Sequence, residues 1–302
     1  MAGAASVPLG AGRLRRGAAH DELGQMVDSS PLLGDRTALR RRLDADGYLY
    51  MPRLLSRSAV LAGRRRIVEM LTAHGWEGLG QQDPLADDGS PPTYSRAGER
   101  HIPGLMYLHE RLPSPQEPLS PSVLGELDGV AAIEPESPLK TPEVAAVVEA
   151  PELHALFEAL LECPAVHALD YRWLRIVPPA ATSSFHVDHC FFHSNNHDSG
   201  QRGMYTAWLP WCDTPVESGG LAVLRGSNSL PGFARIRETY GDVDVSYTDI
   251  RDAGPLTHDP HWLLGFDPAA QWLTADYRAG DVLVFTMQTF HGAVVNSTGT
   301  EE

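Results

Sequence analysis

The chain has 302 residues, with 24 Lys+Arg against 39 Asp+Glu, a formal net charge of −15 and a pI near 5.2. Such an acidic balance argues against a nucleic-acid surface or an anionic-membrane patch, both of which need clustered positive charge, and the length is enough to bury a full core. Cys163, Cys190 and Cys212 show no CxxC spacing, and no apolar run approaches the length of a membrane span; a disulfide framework, a cysteine zinc site and a spanning helix are set aside, and a reducing, cytoplasmic setting fits.

Residues 1–35 are rich in Ala, Gly and turn formers and read as a flexible lead. Within it Arg13-Leu14 followed by His20 resembles an N-terminal peroxisomal address, although Asp21 stands where a small or apolar residue is expected; a peroxisomal or other organellar location is the alternative to the cytoplasm. Arg36 to Ala45 and Ser56 to His74 carry helical spacing, with Ser56 or Ser58 available as N-cap and Gly75 as a stop. In the second helix Val60, Leu61, Ile67, Val68 and Leu71 form the apolar stripe, and Arg64, Arg65 and Arg66 are read as a solvated face. Residues 77–142 are dense in Pro, Gly, Asp and Ser, which suits either a lid that touches substrate or an insertion with no catalytic part.

Thr141 to Leu161 is expected to be one helix, with Thr141 as N-cap, Pro142 at the first position and Glu143 in the first turn. Ala165 to Val177 follows as a strand that carries Tyr171, Trp173 and Arg175 on one face and ends at Pro178-Pro179. From there short apolar runs alternate with turns: Tyr205 to Cys212, the glycines Gly219-Gly220 leading into Leu221 to Arg225, then Asp281 to Thr286 behind Ala279-Gly280. The pattern predicts a mainly β protein with flanking helices, a jelly roll of two facing sheets. A single domain is expected over 36–302, with a helical and loop part at 36–165 and the core strands at 166–302.

His186-Val187-Asp188 and, about a hundred residues on, Phe290-His291-Gly292 carry the chemistry. On a strand or its edge an HxD sends both side chains to one side, because side chains alternate with period two. Two imidazoles and a carboxylate on one face of an octahedral ion leave the other face open, as non-haem Fe(II) requires for an oxidisable cosubstrate and O2. By itself the tripeptide is a common chance pattern, and among 13 histidines a downstream partner is nearly guaranteed. His189, His193 and His197, with Cys190 and Asp198, offer a rival zinc cluster, but their spacings fit no standard zinc motif.

The context of these ligands resembles the phytanoyl-CoA dioxygenase family of Fe(II)/2-oxoglutarate oxygenases. The matching stretches are Ser184 to Phe192, Ala207-Trp208, Asp213 to Ser227, Gly280-Asp281, and His291-Gly292 with Asn296-Ser297. Asp46 to Ser56 is similar to the family's first strand, so the likeness runs from about residue 40 onward. The resemblance implies Fe(II) held by His186, Asp188 and His291, with 2-oxoglutarate as cosubstrate and O2 as oxidant. It further implies a small-molecule substrate oxidised at an aliphatic C–H, and a pocket wall that includes Trp208 and, as a second candidate, Trp173. Asp188 separates the chain from halogenating relatives, which lack the carboxylate. Two positions depart from the pattern. Ala293 stands where relatives often place a hydroxyl. The arginine that anchors the cosubstrate's distal carboxylate is expected eleven or twelve residues after His291, whereas the sequence stops at Glu302; the last core strand is expected beyond that point. The alternatives are a non-catalytic jelly roll that binds a metal or ligand, and a cupin-type dioxygenase that does not use 2-oxoglutarate.

Overall fold

The computed structural model describes residues 6–9, 12–16, 22–73, 141–163, 166, 185–189, 204–240, 256–257 and 259–297. Nearly all of the 77–142 stretch, Trp173 with most of its expected strand, and His193 and His197 lie outside them. Strands among the described residues are β1 (Ser6–Leu9), β2 (Gly12–Arg16), β3 (Glu22–Gln25), β4 (Tyr48–Met51), β5 (Tyr205–Trp208), β6 (Leu221–Arg225), β7 (Gln271–Thr274), β8 (Val282–Thr286) and β9 (His291–Ala293). They form a six-stranded sheet in the order β1-β2-β3-β7-β6-β9 and a three-stranded sheet in the order β4-β8-β5. The longer helices are α1 (Arg36–Asp46), α2 (Arg57–Ala73), α3 (Pro142–Val148) and α4 (Pro151–Leu161); α5 (Ala234–Thr239) and α6 (Pro260–Leu264) are short.

The layering follows from side-chain alternation. In β8, which is buried along its whole length, Val282 and Val284 pack into a cluster with Leu39 and Leu43 of α1, Val60 of α2, Val147 of α3 and Leu156 of α4. Leu283 and Phe285 point the other way, into a cluster with Leu221 and Val223 of β6 and Leu273 of β7. The remaining face of β6, Ala222 and Leu224, meets Trp272, Phe233 and Leu263 under the short helices. Three apolar clusters on two sheets therefore stack as helices, small sheet, large sheet, short helices, and the middle cluster is the space between the sheets. Each fully buried Val, Leu or Phe in these layers stabilises the fold by about 1.5–3 kcal/mol before side-chain entropy is counted.

Three expectations change. Residues 22–33 belong to the fold rather than to a loose lead: β3 pairs in parallel with β7, and Leu23 and Met26 are buried. The run from Thr141 is two helices, because Pro151 has no N–H to give and holds Ala150 extended at φ −59°, ψ 136°. Thr141 does stand at the N-cap with Pro142 following, but its side chain makes no capping hydrogen bond. Arg64 is buried, so only part of the arginine run lies on a wet face; Arg66 pairs with Glu69 at 3.3 Å.

Two local devices bear on the site. Gly47 ends α1 at φ +82°, where a Cβ would come within 2.6 Å of Asn228 Oδ1 and 2.7 Å of Thr289 Oγ1. Arg57, at the start of α2, grips both oxygens of Asp213, which also accepts from the Ala279 N–H at 3.1 Å just ahead of β8. Burial would raise the Asp213 carboxyl, but the hydrogen bonds from Arg57 and Ala279 and the charges of Arg57 and Arg278 outweigh it and lower it from 3.8. Gly47→Ala should lose about 1–2 kcal/mol from the left-handed backbone alone, and more from the displaced Asn228 and Thr289 side chains, read as a lower urea midpoint. A depressed carboxylate contributes stability above its unfolded pKa and loses it as pH falls through the folded one. The stability gap between the wild type and Asp213→Asn should therefore be widest at neutral pH and close in acid below that range, as urea unfolding at several pH values would record.

Candidate metal centre

His186 and His291 face each other across an antiparallel bridge: the His186 N–H donates to the His291 carbonyl at 3.2 Å, and the His291 N–H donates to the His186 carbonyl at 3.0 Å. His291 opens β9, which pairs with β6 in the register His291 to Val223. His186 thus extends the large sheet by one bridged residue beyond β9. Residues opposite each other in such a pair present side chains to the same face, and the two imidazole centroids lie 4.3 Å apart. The chain then turns at Asp188 and is held there by the His189 N–H, which donates to the Met287 carbonyl at 2.8 Å. That turn carries Asp188 back to the histidines. Its Oδ1 lies 3.7 Å from His186 Nε2 and 3.4 Å from His291 Nε2, and one donor atom from each of the three residues falls within 4.8 Å of the others.

The donor atoms of the three residues are turned toward one another. His291 Nδ1 lies 3.0 Å from the Thr289 carbonyl, which can only accept, so Nδ1 is the nitrogen that donates there and Nε2 is the one turned toward Asp188. Phe285 packs against the same ring, with centroids 4.5 Å apart. Burial would raise the Asp188 carboxyl; the charge of His291, its hydrogen bond, the charge of His186 and the Thr206 hydroxyl outweigh it, and the carboxyl is held well below the usual carboxylate range. A metal with bonds of about 2.1 Å places two neighbouring ligands about 3 Å apart. The observed separations are somewhat wider, so a modest inward adjustment accommodates an ion, and two imidazole nitrogens with one ionised carboxylate suit divalent iron.

The structure brings together His186, Asp188 and His291 as the sequence predicts. Trp208 stands two residues along β5 from Thr206, half-buried, with its ring 4.7 Å from that of Tyr277 at the edge of the space between the sheets. Trp173 lies outside the described residues. So do Cys190, His193, His197 and Asp198 of the rival zinc cluster; of that group only His189 is described. Among the described residues no helix is long and apolar enough to cross a membrane.

Two sheets with a His-Asp-His set on the edge of their shared core, both histidines buried and the aspartate partly so, define a protein with a group of residues that could hold a metal ion. The sequence matches the phytanoyl-CoA dioxygenase (PhyH) family over residues 43–301, and the chain belongs to that family. Its cofactors are accordingly iron and 2-oxoglutarate. Among solved structures it is similar to the non-haem α-ketoglutarate-dependent epimerase SnoN from nogalamycin biosynthesis, at 18% identity over 89% of this chain and 79% of that one, with a TM-score of 0.44. It is also similar to AviO1 from Streptomyces viridochromogenes Tue57, at 19% identity over 88% and 90% of the two chains and a TM-score of 0.40. EvdO2 from Micromonospora carbonacea var. aurantiaca, solved with 2-oxoglutarate, gives 18% identity over 91% and 87% and a TM-score of 0.39. Among curated proteins none matches.

Sequence reading missed the residues that hold the ligands. Ser227, fully buried in the turn after β6, donates to the Leu224 carbonyl at 2.8 Å and accepts from the Phe290 N–H at 2.9 Å, one residue before His291. Thr289 donates to the Gly47 carbonyl at 2.7 Å and lies 2.8 Å from Thr286 Oγ1. The available signal was the corner Arg225-Gly226-Ser227, whose serine follows a glycine at φ +78° and is free to turn inward. Ser227→Ala leaves the buried Phe290 N–H without its acceptor, so a loss of about 1–3 kcal/mol is expected in denaturant unfolding.

Proposed function

We propose that this chain is an Fe(II)/2-oxoglutarate-dependent oxygenase that hydroxylates an aliphatic C–H bond of a small molecule, with O2 as oxidant and His186, Asp188 and His291 as the iron ligands. We read the two sheets as the double-stranded β-helix, or jelly roll, of such enzymes, within a single domain. The observation that carries the reading is the convergence of two histidine Nε2 atoms on one oxygen of the partly buried Asp188 carboxylate. When bound, iron and the keto acid supply the oxidation of an unactivated C–H bond, coupled to loss of CO2 from 2-oxoglutarate. The chain's own residues bind and orient. His186 and His291 are locked to each other through the backbone, and Asp188 would supply negative charge to a divalent cation held by the three residues together. Trp208 is assigned to the wall of the cosubstrate pocket, because its position on β5 follows Thr206 on the same face by the period of a strand. The retained carboxylate favours hydroxylation over halogenation, since Asp188 occupies the place a halide would need.

The test is succinate release. The protein with Fe(II) and 2-oxoglutarate should form succinate under air, slowly without substrate and faster with one from a panel of small aliphatic compounds, while His186→Ala and His291→Ala should fall to the protein-free background. Anaerobic addition of Fe(II) and 2-oxoglutarate should also give the weak visible charge-transfer absorption of a chelated keto acid, absent in the same variants. A wild-type protein that gives neither succinate nor this absorption would leave the chain a binding protein rather than an oxygenase.

A further inference from the structure

We infer that Thr206 is a positioning residue that selects which oxygen of Asp188 faces the metal and limits that carboxylate to a single bond with it; the inference rests on the metal-site reading above. The two carboxylate oxygens are already divided. Oδ1 is the atom turned toward both imidazoles, at 3.7 and 3.4 Å from their Nε2 atoms, whereas Oδ2 lies 2.5 Å from the Thr206 hydroxyl. That hydroxyl has one proton and two neighbours. The second is the Met287 sulfur at 3.8 Å, a weak acceptor, so the proton belongs to the carboxylate oxygen.

Thr206 is well placed to act as a fixed stop. It sits within β5, opposite Phe285 of β8, and its β-branched side chain has few rotamers open to it. Asp188 is tied to the same frame, because the next residue's N–H donates to Met287, which directly follows β8. The hydroxyl and the carboxylate are thus referenced to one strand, and Oδ2 is held away from the imidazole side.

The consequence concerns how many positions the protein occupies on the ion. A carboxylate can bind through one oxygen or two. With one, three protein donors leave three positions of an octahedron, two for a chelating keto acid and one for O2. A second carboxylate oxygen would take one of these three. By engaging Oδ2, Thr206 keeps that position free.

The experiment uses Co(II), which is stable in air, as the metal probe, in wild type, Thr206→Val, which keeps the shape and removes the hydroxyl, and Thr206→Ser, which restores it. Co(II) affinity is measured by competition with a chromophoric chelator, and 2-oxoglutarate affinity by titration of the Co(II)-loaded protein. Thr206→Val should bind Co(II) about 10-fold more weakly than wild type, the scale of losing a hydrogen bond to a metal ligand, with Thr206→Ser within about twofold. The 2-oxoglutarate affinity of the Co(II)-loaded Val variant should fall as well and recover in Ser, while the melting temperature of the metal-free proteins stays level. Should Val not fold, Thr206→Ala provides the same comparison. Val and Ala proteins that bind both Co(II) and 2-oxoglutarate as wild type does would overturn the inference and leave the metal site standing. A wild type that takes up no Co(II) would remove both.

Discussion

The reciprocal backbone exchange between His186 and His291 is the constraint on which the site depends. Two residues more than a hundred positions apart become direct neighbours through two hydrogen bonds, 3.2 and 3.0 Å, that fix both their separation and the face on which their side chains emerge. A slip of one residue in this pairing would turn one imidazole to the opposite side of the sheet. The register is therefore secured at several further points: Val223 opposite His291, Leu221 opposite Ala293, the Leu224 N–H donating to the Phe290 carbonyl at 2.8 Å, and the Ser227 hydroxyl on the Phe290 N–H. All four bind the histidine segment to β6 or to the turn that follows it, which makes β6 the ruler against which the metal ligands are set.

A largely enclosed carboxylate is costly unless it is compensated, and the compensation at Asp188, which is only partly exposed, has two parts. One is the imidazole pair, which supplies positive potential at Oδ1. The other is the Thr206 hydroxyl at Oδ2, a neutral donor whose contribution does not depend on an ion. Each oxygen thus has a partner of its own. The outer ends of the strands show how the same chain treats carboxylates that serve structure alone. Asp281 accepts from the Tyr50 hydroxyl at 2.8 Å, the Arg53 N–H at 2.8 Å and the Arg278 N–H at 2.9 Å, and Asp213 is gripped by a guanidinium. Those carboxylates have both oxygens engaged by donors, which leaves no place for a cation. Asp188 differs in presenting one oxygen to two side chains that are themselves metal ligands by chemistry.

Much of this was legible in the sequence because it is local. The alternation in Val282 to Thr286 and the apolar run Leu221 to Arg225 behind two glycines each encode their own geometry within a few residues, and the structure bears them out, whereas in the HxD tripeptide Asp188 meets the histidines through a turn rather than by strand alternation. Reading failed where the determinant is tertiary. Arg64 looks like a solvated cation in an arginine run, and only the packing of α2 buries it. Glu22 to Gln25 has no strand pattern of its own and becomes a strand because β7 offers an edge. The break at Ala150 could have been read, since a proline nine positions into a helical run rules out continuous helix at the residue before it. Thr206 and Thr289 were invisible for a different reason: hydroxyl residues in strands and turns are common, and nothing in sequence says that these reach the groups around the ligands.

The ring of His291 illustrates why these supporting groups matter beyond stability. Its Nδ1 proton is committed to the Thr289 carbonyl, one face of the ring meets Phe285 at 4.5 Å, and the His186 ring stands 4.3 Å away. Rotation about the ring's own axis would break the hydrogen bond and drive the imidazole into an aromatic neighbour, so the direction of Nε2 is set by the fold. Thr289 is in turn fixed by its hydroxyl on the Gly47 carbonyl, at the point where the left-handed glycine ends α1 and the chain enters β4. The orientation of a metal ligand thus traces back through two hydrogen bonds to a helix terminus on the other side of the small sheet. Ordering of this ring is accomplished when the fold forms. The absence of a side chain at residue 47 is what lets Asn228 and Thr289 close over that terminus.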